Sequence, residues 1–389
     1  MRTIMLVAGE PSGDQLGAQL MVGLKKFASH GVRIVGVGGK AMAAAGLQTL
    51  FPLDSTSVMG LREVVPRIPA ILKRVREATE FALKVRPDVV VLIDSPDFTH
   101  RIARRLKQRD PSIRTVNYAP PQVWASRSYR ARKMARYMDA VLTLFPFEAA
   151  FFERHGIRAY SVGYPVVERA RAITGGAEFR RHRGIAPNAP LVAVLAGSRR
   201  NEIRFILPPF KAAIEILSRD IPGLVSVLPT VGHVADLVRA SAVDWPTPAH
   251  VVETDEEKFA AFDATDAALA ASGTVTSELA LARTPMVAGY RLGWLTYALA
   301  RPFVHVQYIV LVNLVLGREA VPELIQSACN PQRLAQALRP LLLDRCARDK
   351  QLRDLDDAVR AFGLGEEAPS LRAARAVLAF VEGARARND

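Results

Sequence analysis

Residues 3–14 read TIMLVAGEPSGD, and residues 191–202 read LVAVLAGSRRNE. In both, a short aliphatic run (Thr3 to Ala8, Leu191 to Ala196) passes into a glycine-containing turn, and a helical pattern follows. A strand too apolar to alternate, then a turn, then a helix is the repeating unit of a parallel sheet buried on both faces. Comparable runs recur outward from each stretch. After the first come Arg33 to Val37, Asp88 to Ile93, Thr115 to Tyr118 and Ala140 to Leu144; after the second come Leu224 to Leu228, Ala267 to Ala270 and Pro285 to Gly289. Two series imply two sheets, so the expected fold class is α/β with two Rossmann-like parallel-sheet domains, over 1–165 and 185–320. Gly163, Pro165 and the Gly175-Gly176 pair mark Val162 to Gly184 as the joining segment. Beyond Val321 the pattern turns purely helical, with apolar residues three and four apart over Pro331 to Asp344 and Ser370 to Gly383. Residues 321–389 are therefore expected as C-terminal helices that pack back on the first domain or on a partner subunit.

Composition bounds the partners. The chain has 389 residues, half of them hydrophobic, which suffices for two cores. Its longest apolar run, Val304 to Leu316, is interrupted by Gln307 and Asn313 and is shorter than the roughly 20 residues of a spanning helix. The N-terminus enters the first strand directly, so it reads as the start of the fold and the chain as cytosolic. Two cysteines, Cys329 and Cys346, supply neither a disulfide framework nor a metal quartet. With 52 basic against 38 acidic residues the net charge is +14, which favours anionic partners: nucleic acid, acidic lipid headgroups or phosphorylated substrates. The arginines are spread along the chain without the basic and aromatic interleaving that stacks single-stranded bases.

Four turns carry candidate chemistry. Gly9 to Asp14 lacks both GxGxxG and GxxxxGK[ST], so neither a dinucleotide nor a P-loop reading holds. Its Glu10 is either a contact for a sugar hydroxyl or nucleophile, or a solvated acid in a capped turn. Asp94 and Asp97, in IDSPDF, lie at the carboxyl edge of a parallel strand, where open α/β sheets bind ligands. One could take a proton from an attacking hydroxyl, while the other caps the following helix. Gly197, Ser198 and Arg199 open a helix in a way that suits a diphosphate: glycine for the turn, arginine for a bidentate contact, and a positive helix end. No Asp-x-Asp clamp stands nearby, so no metal and no other cofactor is expected. Ser272, Gly273 and Thr274 form a second turn of the same kind, and Glu278 behind it is placed either for two ribose hydroxyls or for the helix dipole.

The stretch Val58 to Val75 differs in kind. Val58, Met59, Leu61, Val64, Val65, Ile68 and Leu72 give an apolar side, while Arg62, Arg67, Lys73, Arg74 and Arg76 supply charge. Such a segment lies in a membrane interface or is an ordinary core-facing helix pair. Pro66 and Pro69 are expected to break or kink it.

Taken in order, AGEPSGDQLGA, VMGLREVVPRIPAIL, LIDSPDF, YAPPQVWASR, VGYPV, LAGSRRNEI, ASGTVTSELAL and NLVLGREAVPELIQ resemble the lipid-A-disaccharide synthase family, from about Arg2 to beyond Leu338. The resemblance implies the GT-B architecture, two Rossmann-like domains facing a cleft. It implies inverting transfer of a 2,3-diacylglucosaminyl unit from UDP to the 6-hydroxyl of 2,3-diacylglucosamine 1-phosphate (lipid X). It matches Glu10 and Asp97 to acceptor handling and catalysis, with Asp97 favoured as the base. Arg199, Glu278 and Asn313 are matched to nucleotide binding or activity, and the segment from Val58 to the membrane-facing surface. It further implies peripheral binding at the cytoplasmic face of the inner membrane, and dimers that exchange C-terminal segments. The rivals are another UDP-GlcNAc-type GT-B enzyme, such as a 2-epimerase or the GlcNAc transferase of peptidoglycan synthesis, and a basic non-catalytic nucleic-acid-binding protein.

Overall fold

The computed structural model describes residues 1–28, 31–53, 61–124, 129–293, 297 and 307–385. The first sheet holds β1 (Arg2–Ala8), β2 (Val32–Val37), β3 (Val89–Ile93), β4 (Thr115–Tyr118), β5 (Ala140–Thr143) and β6 (Arg158–Ser161), in the order β2-β1-β3-β4-β5-β6. The second holds β7 (Leu191–Leu195), β8 (Val225–Pro229), β9 (Ala249–Val252), β10 (Ala267–Ala271), β11 (Met286–Tyr290) and β12 (Glu323–Ile325), in the order β12-β11-β10-β7-β8-β9. Every pairing is parallel. The strand order reverses between β1 and β3 in one sheet and between β7 and β10 in the other. Those reversals are the switch points at which open parallel sheets bind ligands beyond the strands' carboxyl ends.

The covering helices follow from spacing. In helix Arg200–Asp220, Ile203, Ile206, Leu207, Phe210, Ala213, Ile214 and Leu217 are buried in the second core beside Val192, Val194 and Leu269. Each large apolar side chain so buried contributes about 1.5–3 kcal/mol. In helix Pro96–Arg109, Phe98, Ile102, Ala103 and Leu106 are buried, while Arg101 and Arg104 are exposed.

The chain divides into two compact units, residues 1–165 with 366–389, and residues 166–365. The expected joining segment is therefore shared out. Val162 is buried in the first core, and helix Gly176–His182 belongs to the second unit, where the amide of Gly176 donates to Asp263 at 2.8 Å. The C-terminal block is shared as well. Helices Pro331–Leu343 and Arg345–Ala361 lie in the second unit, while helix Pro369–Arg385 buries Ala373, Ala374, Val377, Leu378, Phe380 and Val381 in the first. It crosses helix Pro11–Phe27 at Gly23, where a Cβ would meet that of Ala374 at 2.8 Å. Nor is the sequence beyond Val321 purely helical, since β12 closes one edge of the second sheet. Helix Leu61–Val85 runs through Pro66 and Pro69 as one element, so of the expected break or kink the break does not occur. Each proline lacks the N–H that would bond the carbonyl four residues back and its ring crowds that carbonyl, a local cost that leaves the hydrogen bonds of the turns beyond it in place.

Candidate functional site

At the first switch point the turns after β1 and β3 are pressed together. A Cβ on Gly9 would meet Ser95 Oγ at 2.5 Å. Asp94 and Ser95 both take left-handed backbone, φ 52° and 43°, a strain that non-glycine residues hold only where the surroundings impose it. The result is a knot: Asp94 Oδ1 accepts from the amide of Ser95 at 2.8 Å, and Oδ2 accepts from Ser12 Oγ at 2.7 Å. Asp14, of the same first turn, is also committed. Its buried carboxylate accepts from the amides of Gly39 (2.7 Å), Ala41 (2.8 Å) and Met42 (3.0 Å) and so caps helix Lys40–Ala44. Glu10 is half-buried at the N-cap of helix Pro11–Phe27, without a side-chain capping bond.

Asp97 is different. It sits exposed in the first turn of helix Pro96–Arg109, and its carboxylate makes no hydrogen bond or ion pair among the described residues. It lines a cavity of about 330 Å³ with His100 and Tyr137. His100 is buried, and that burial lowers its pKa to about 4, so the ring is neutral near pH 7. Its tautomer follows from its neighbours. Asn117 Nδ2 donates to the carbonyl of Leu92 at 2.8 Å, leaving Oδ1 to accept from His100 Nε2 at 3.1 Å. Nδ1 then accepts from the Tyr137 hydroxyl at 3.3 Å, and that oxygen accepts from Arg104 Nη2 at 3.2 Å.

At the second switch point a cavity of about 350 Å³ is lined by Gly197, Ser198 and Arg199 after β7 and by Ser272, Gly273 and Thr274 after β10. The two turns are not equivalent. Glu202 Oε2 accepts from the amides of Ser198 (2.9 Å) and Arg199 (3.1 Å), and Oε1 pairs with Arg199 Nη1 at 2.9 Å. The donors expected to meet a diphosphate therefore hold an internal carboxylate. Gly197, at φ 110°, leaves room for it, since a Cβ there would run into Glu202. Helix Thr274–Leu281, by contrast, has no side-chain cap at its N-terminus.

Glu278 is 4% exposed and lines the same cavity, paired with Arg169 and, at 3.4 Å, with Lys258. Neither cation was legible as a site residue; one precedes the sheet and the other lies on helix Asp255–Ala264. Thr230, just past β8, also lines the cavity, and its buried hydroxyl has no partner among the described residues. Asn313 is not brought into this cavity. It is fully buried, with Oδ1 accepting from the amides of Ala320 and Val321 (both 2.8 Å) and Nδ2 donating to the Val321 carbonyl (2.7 Å) and Glu323 Oε1 (2.8 Å). That amide is spent on folding the 317–323 loop, because a buried turn must satisfy its backbone groups locally.

Of the expected membrane-facing residues, Val58 and Met59 lie outside the described residues, as do the side chains of Leu61, Val64, Val65 and Ile68; Leu72 is half-buried. The expected uridine contacts over 292–312 fall mostly outside them too. No described helix is long and apolar enough to cross a membrane.

The lipid-A-disaccharide synthetase family model matches residues 4–375. The lipid-A-disaccharide synthase of Rhodospirillum centenum is 46% identical over 375 residues, covering 96% of this chain and 94% of that one. That of Paramagnetospirillum magneticum is 44% identical over 388 residues, covering 99% of each. Among solved structures, S. aureus MnaA with UDP gives a TM-score of 0.66 at 12% identity, covering 98% of this chain and 96% of the other. MurG of Acinetobacter baumannii gives 0.55 at 16% identity, covering 98% and 100%. Those two structures thus share the two-domain α/β fold at low identity, whereas the synthases are similar in sequence over nearly the whole chain. With its two parallel sheets, its paired switch-point turns and this match over nearly its whole length, the chain belongs to the lipid-A-disaccharide synthase family.

Proposed function

We propose that the chain joins UDP-2,3-diacylglucosamine to 2,3-diacylglucosamine 1-phosphate, the first unit holding the acceptor and the second the nucleotide. Asp97 takes the proton of the acceptor's 6-hydroxyl. The freed oxygen forms a bond to the donor's anomeric carbon, the bond from that carbon to phosphate breaks, and its electron pair leaves on UDP. Attack opposite the leaving group inverts the α-linked donor to a β-1,6 product. The observation that carries this is the contrast within one turn: Asp94 is tied to Ser12 and Ser95, and Asp97 is left open at a cavity. For the nucleotide, the uncapped turn at Gly273 and Thr274 offers amides to the diphosphate, Arg199 an exposed guanidinium that exchanges its pairing with Glu202 for the phosphate, and Glu278 an acceptor for ribose hydroxyls. UDP as ligand is supported by MnaA, whose solved structure carries it on the same fold.

Both substrates bear acyl chains, each buried CH₂ of which holds to the bilayer by about 0.8 kcal/mol, so the enzyme must meet them at the surface. The segment from Val58 to Leu72 is the proposed contact with anionic lipid on the cytoplasmic face of the inner membrane. Self-association by exchange of helix Pro369–Arg385 belongs to the same reading, since that helix carries core residues of the first unit. The test is UDP release with donor and acceptor presented on anionic vesicles. Release should require both substrates and persist in EDTA, and replacing Val64, Ile68 and Leu72 with serine should weaken vesicle binding while UDP binding remains. Absence of release, or an EDTA loss restored by magnesium, overturns the scheme.

Thr230→Val should lower UDP affinity about five- to tenfold if its buried hydroxyl finds its partner on the nucleotide, the worth of one hydrogen bond. The fold should lose nothing, because valine matches the shape and removes an orphan. Unchanged UDP affinity by calorimetry would place Thr230 outside the contact.

A further inference from the structure

The cavity beside Asp97 is more basic than proton transfer requires. Arg101, Arg104, Arg130 and Lys133 line it, four cations against one carboxylate. Among the described residues none of the four is ion-paired, although the described part of the chain is rich in ion pairs elsewhere. Arg101 Nε donates to the carbonyl of Asp97 at 2.8 Å, and Lys133 Nζ stands 5.1 Å from the ring centre of Tyr129. Arg104 is held in place. Its guanidinium lies 4.7 Å from the ring centre of Tyr137 and donates to the hydroxyl that ends the chain through His100 and Asn117 to the backbone of β3. His100, neutral in that chain, adds no charge and serves as a spacer between sheet and arginine.

Unpaired cations gathered around a cavity repel one another, and a folded chain keeps such a cluster where an anion completes it. A guanidinium seated on Tyr137 beside three exposed cations suits a compact dianion with several acceptor oxygens, which is a phosphomonoester rather than a carboxylate. On the reading that the first unit binds the acceptor, we infer that Arg101, Arg104, Arg130 and Lys133 form the subsite for the acceptor's 1-phosphate. Binding there fixes the sugar by the end remote from its reacting hydroxyl, within the cavity that Asp97 shares. Tyr137, His100 and Asn117 are positioning residues for Arg104.

The experiment compares the 1-phosphorylated acceptor with the same diacylglucosamine lacking phosphate, both dispersed in neutral detergent. Arg101, Arg130 and Lys133 are exposed, so Arg101→Gln, Arg130→Gln and Lys133→Gln should keep the parent's thermal midpoint. Each should cut the parent's preference for the phosphorylated acceptor, as a ratio of kcat/KM values, by about tenfold or more, the effect of one charge-assisted hydrogen bond. The loss should sit mainly in KM. Tyr137→Phe should lower the same ratio by a smaller factor. Glucosamine 1-phosphate should bind the parent and bind the variants more weakly, a readout that stands even if the parent releases no UDP and the transfer reaction itself fails. Equal losses on both acceptors would overturn the subsite. So would an unchanged preference joined to weakened binding of anionic vesicles, which would make the cluster a contact for lipid headgroups.

Discussion

Asp97→Asn is expected to lower kcat by a factor of about 100 or more while the protein stays folded and binds UDP as before. A positioned general base contributes roughly 10²–10⁴-fold, and asparagine keeps the size of the side chain while removing its capacity to take a proton. The structure makes this a clean substitution, since the carboxylate is exposed and supports no bond among the described residues. Asp94→Asn should behave in the opposite way. Its two oxygens hold Ser12 and the amide of Ser95, so the change should loosen the turns and lower stability, with a smaller effect on the chemical step. Single-turnover measurements with bound donor separate the two, because they read chemistry apart from product release. Turnover near that of the parent for Asp97→Asn would move the base to Asp94 or Glu10.

The sequence showed the interior of each sheet plainly and its edges poorly. Val89–Ile93 and Leu191–Leu195 are buried on both faces and so read as unbroken aliphatic runs. Three edge strands escaped notice: Arg158–Ser161, Ala249–Val252 and Glu323–Ile325. An edge strand faces solvent along one side and carries mixed residues, which leaves no periodic trace. The site divides along similar lines. Turns that follow a strand directly, at Gly9, Asp94, Gly197 and Gly273, were legible because glycine and acid stand next to the run that positions them. Arg169, Lys258 and Thr230 reach the second cavity from separate elements, and nothing in local spacing announces them. Asn313 and Glu202 show a further limit. Both are polar residues in conspicuous strings, yet one satisfies a buried loop and the other holds the amides of the turn that leads into its own helix. Residue type alone does not say whether a polar group serves a ligand or the backbone.

Asp14→Ala tests that distinction within the most conspicuous string of all, and it is expected to lower the stability of the first unit by roughly 3 kcal/mol or more. An ordinary helix cap is worth about 0.5–2 kcal/mol on replacement by alanine. Here one carboxylate, 6% exposed, accepts from three amides at 2.7 to 3.0 Å, and all three lose that acceptor at once when it goes, the one on Met42 in a buried position. Asp14→Asn should cost about half as much. It can keep the oxygen that serves Gly39 and Met42 while losing the one that serves Ala41, together with the charge. Urea unfolding followed by a probe in the first unit reads these differences, and UDP affinity, which rests on the second unit's own core, should not change. The functional consequence is indirect: the turn freed from Lys40–Ala44 also carries Glu10 and Ser12, so the variant should raise the acceptor KM before it alters kcat. An alanine variant as stable as the parent would show that the helix at Lys40 finds its capping elsewhere, and Asp14 would then have to be counted with Glu10 among the acids that face the acceptor.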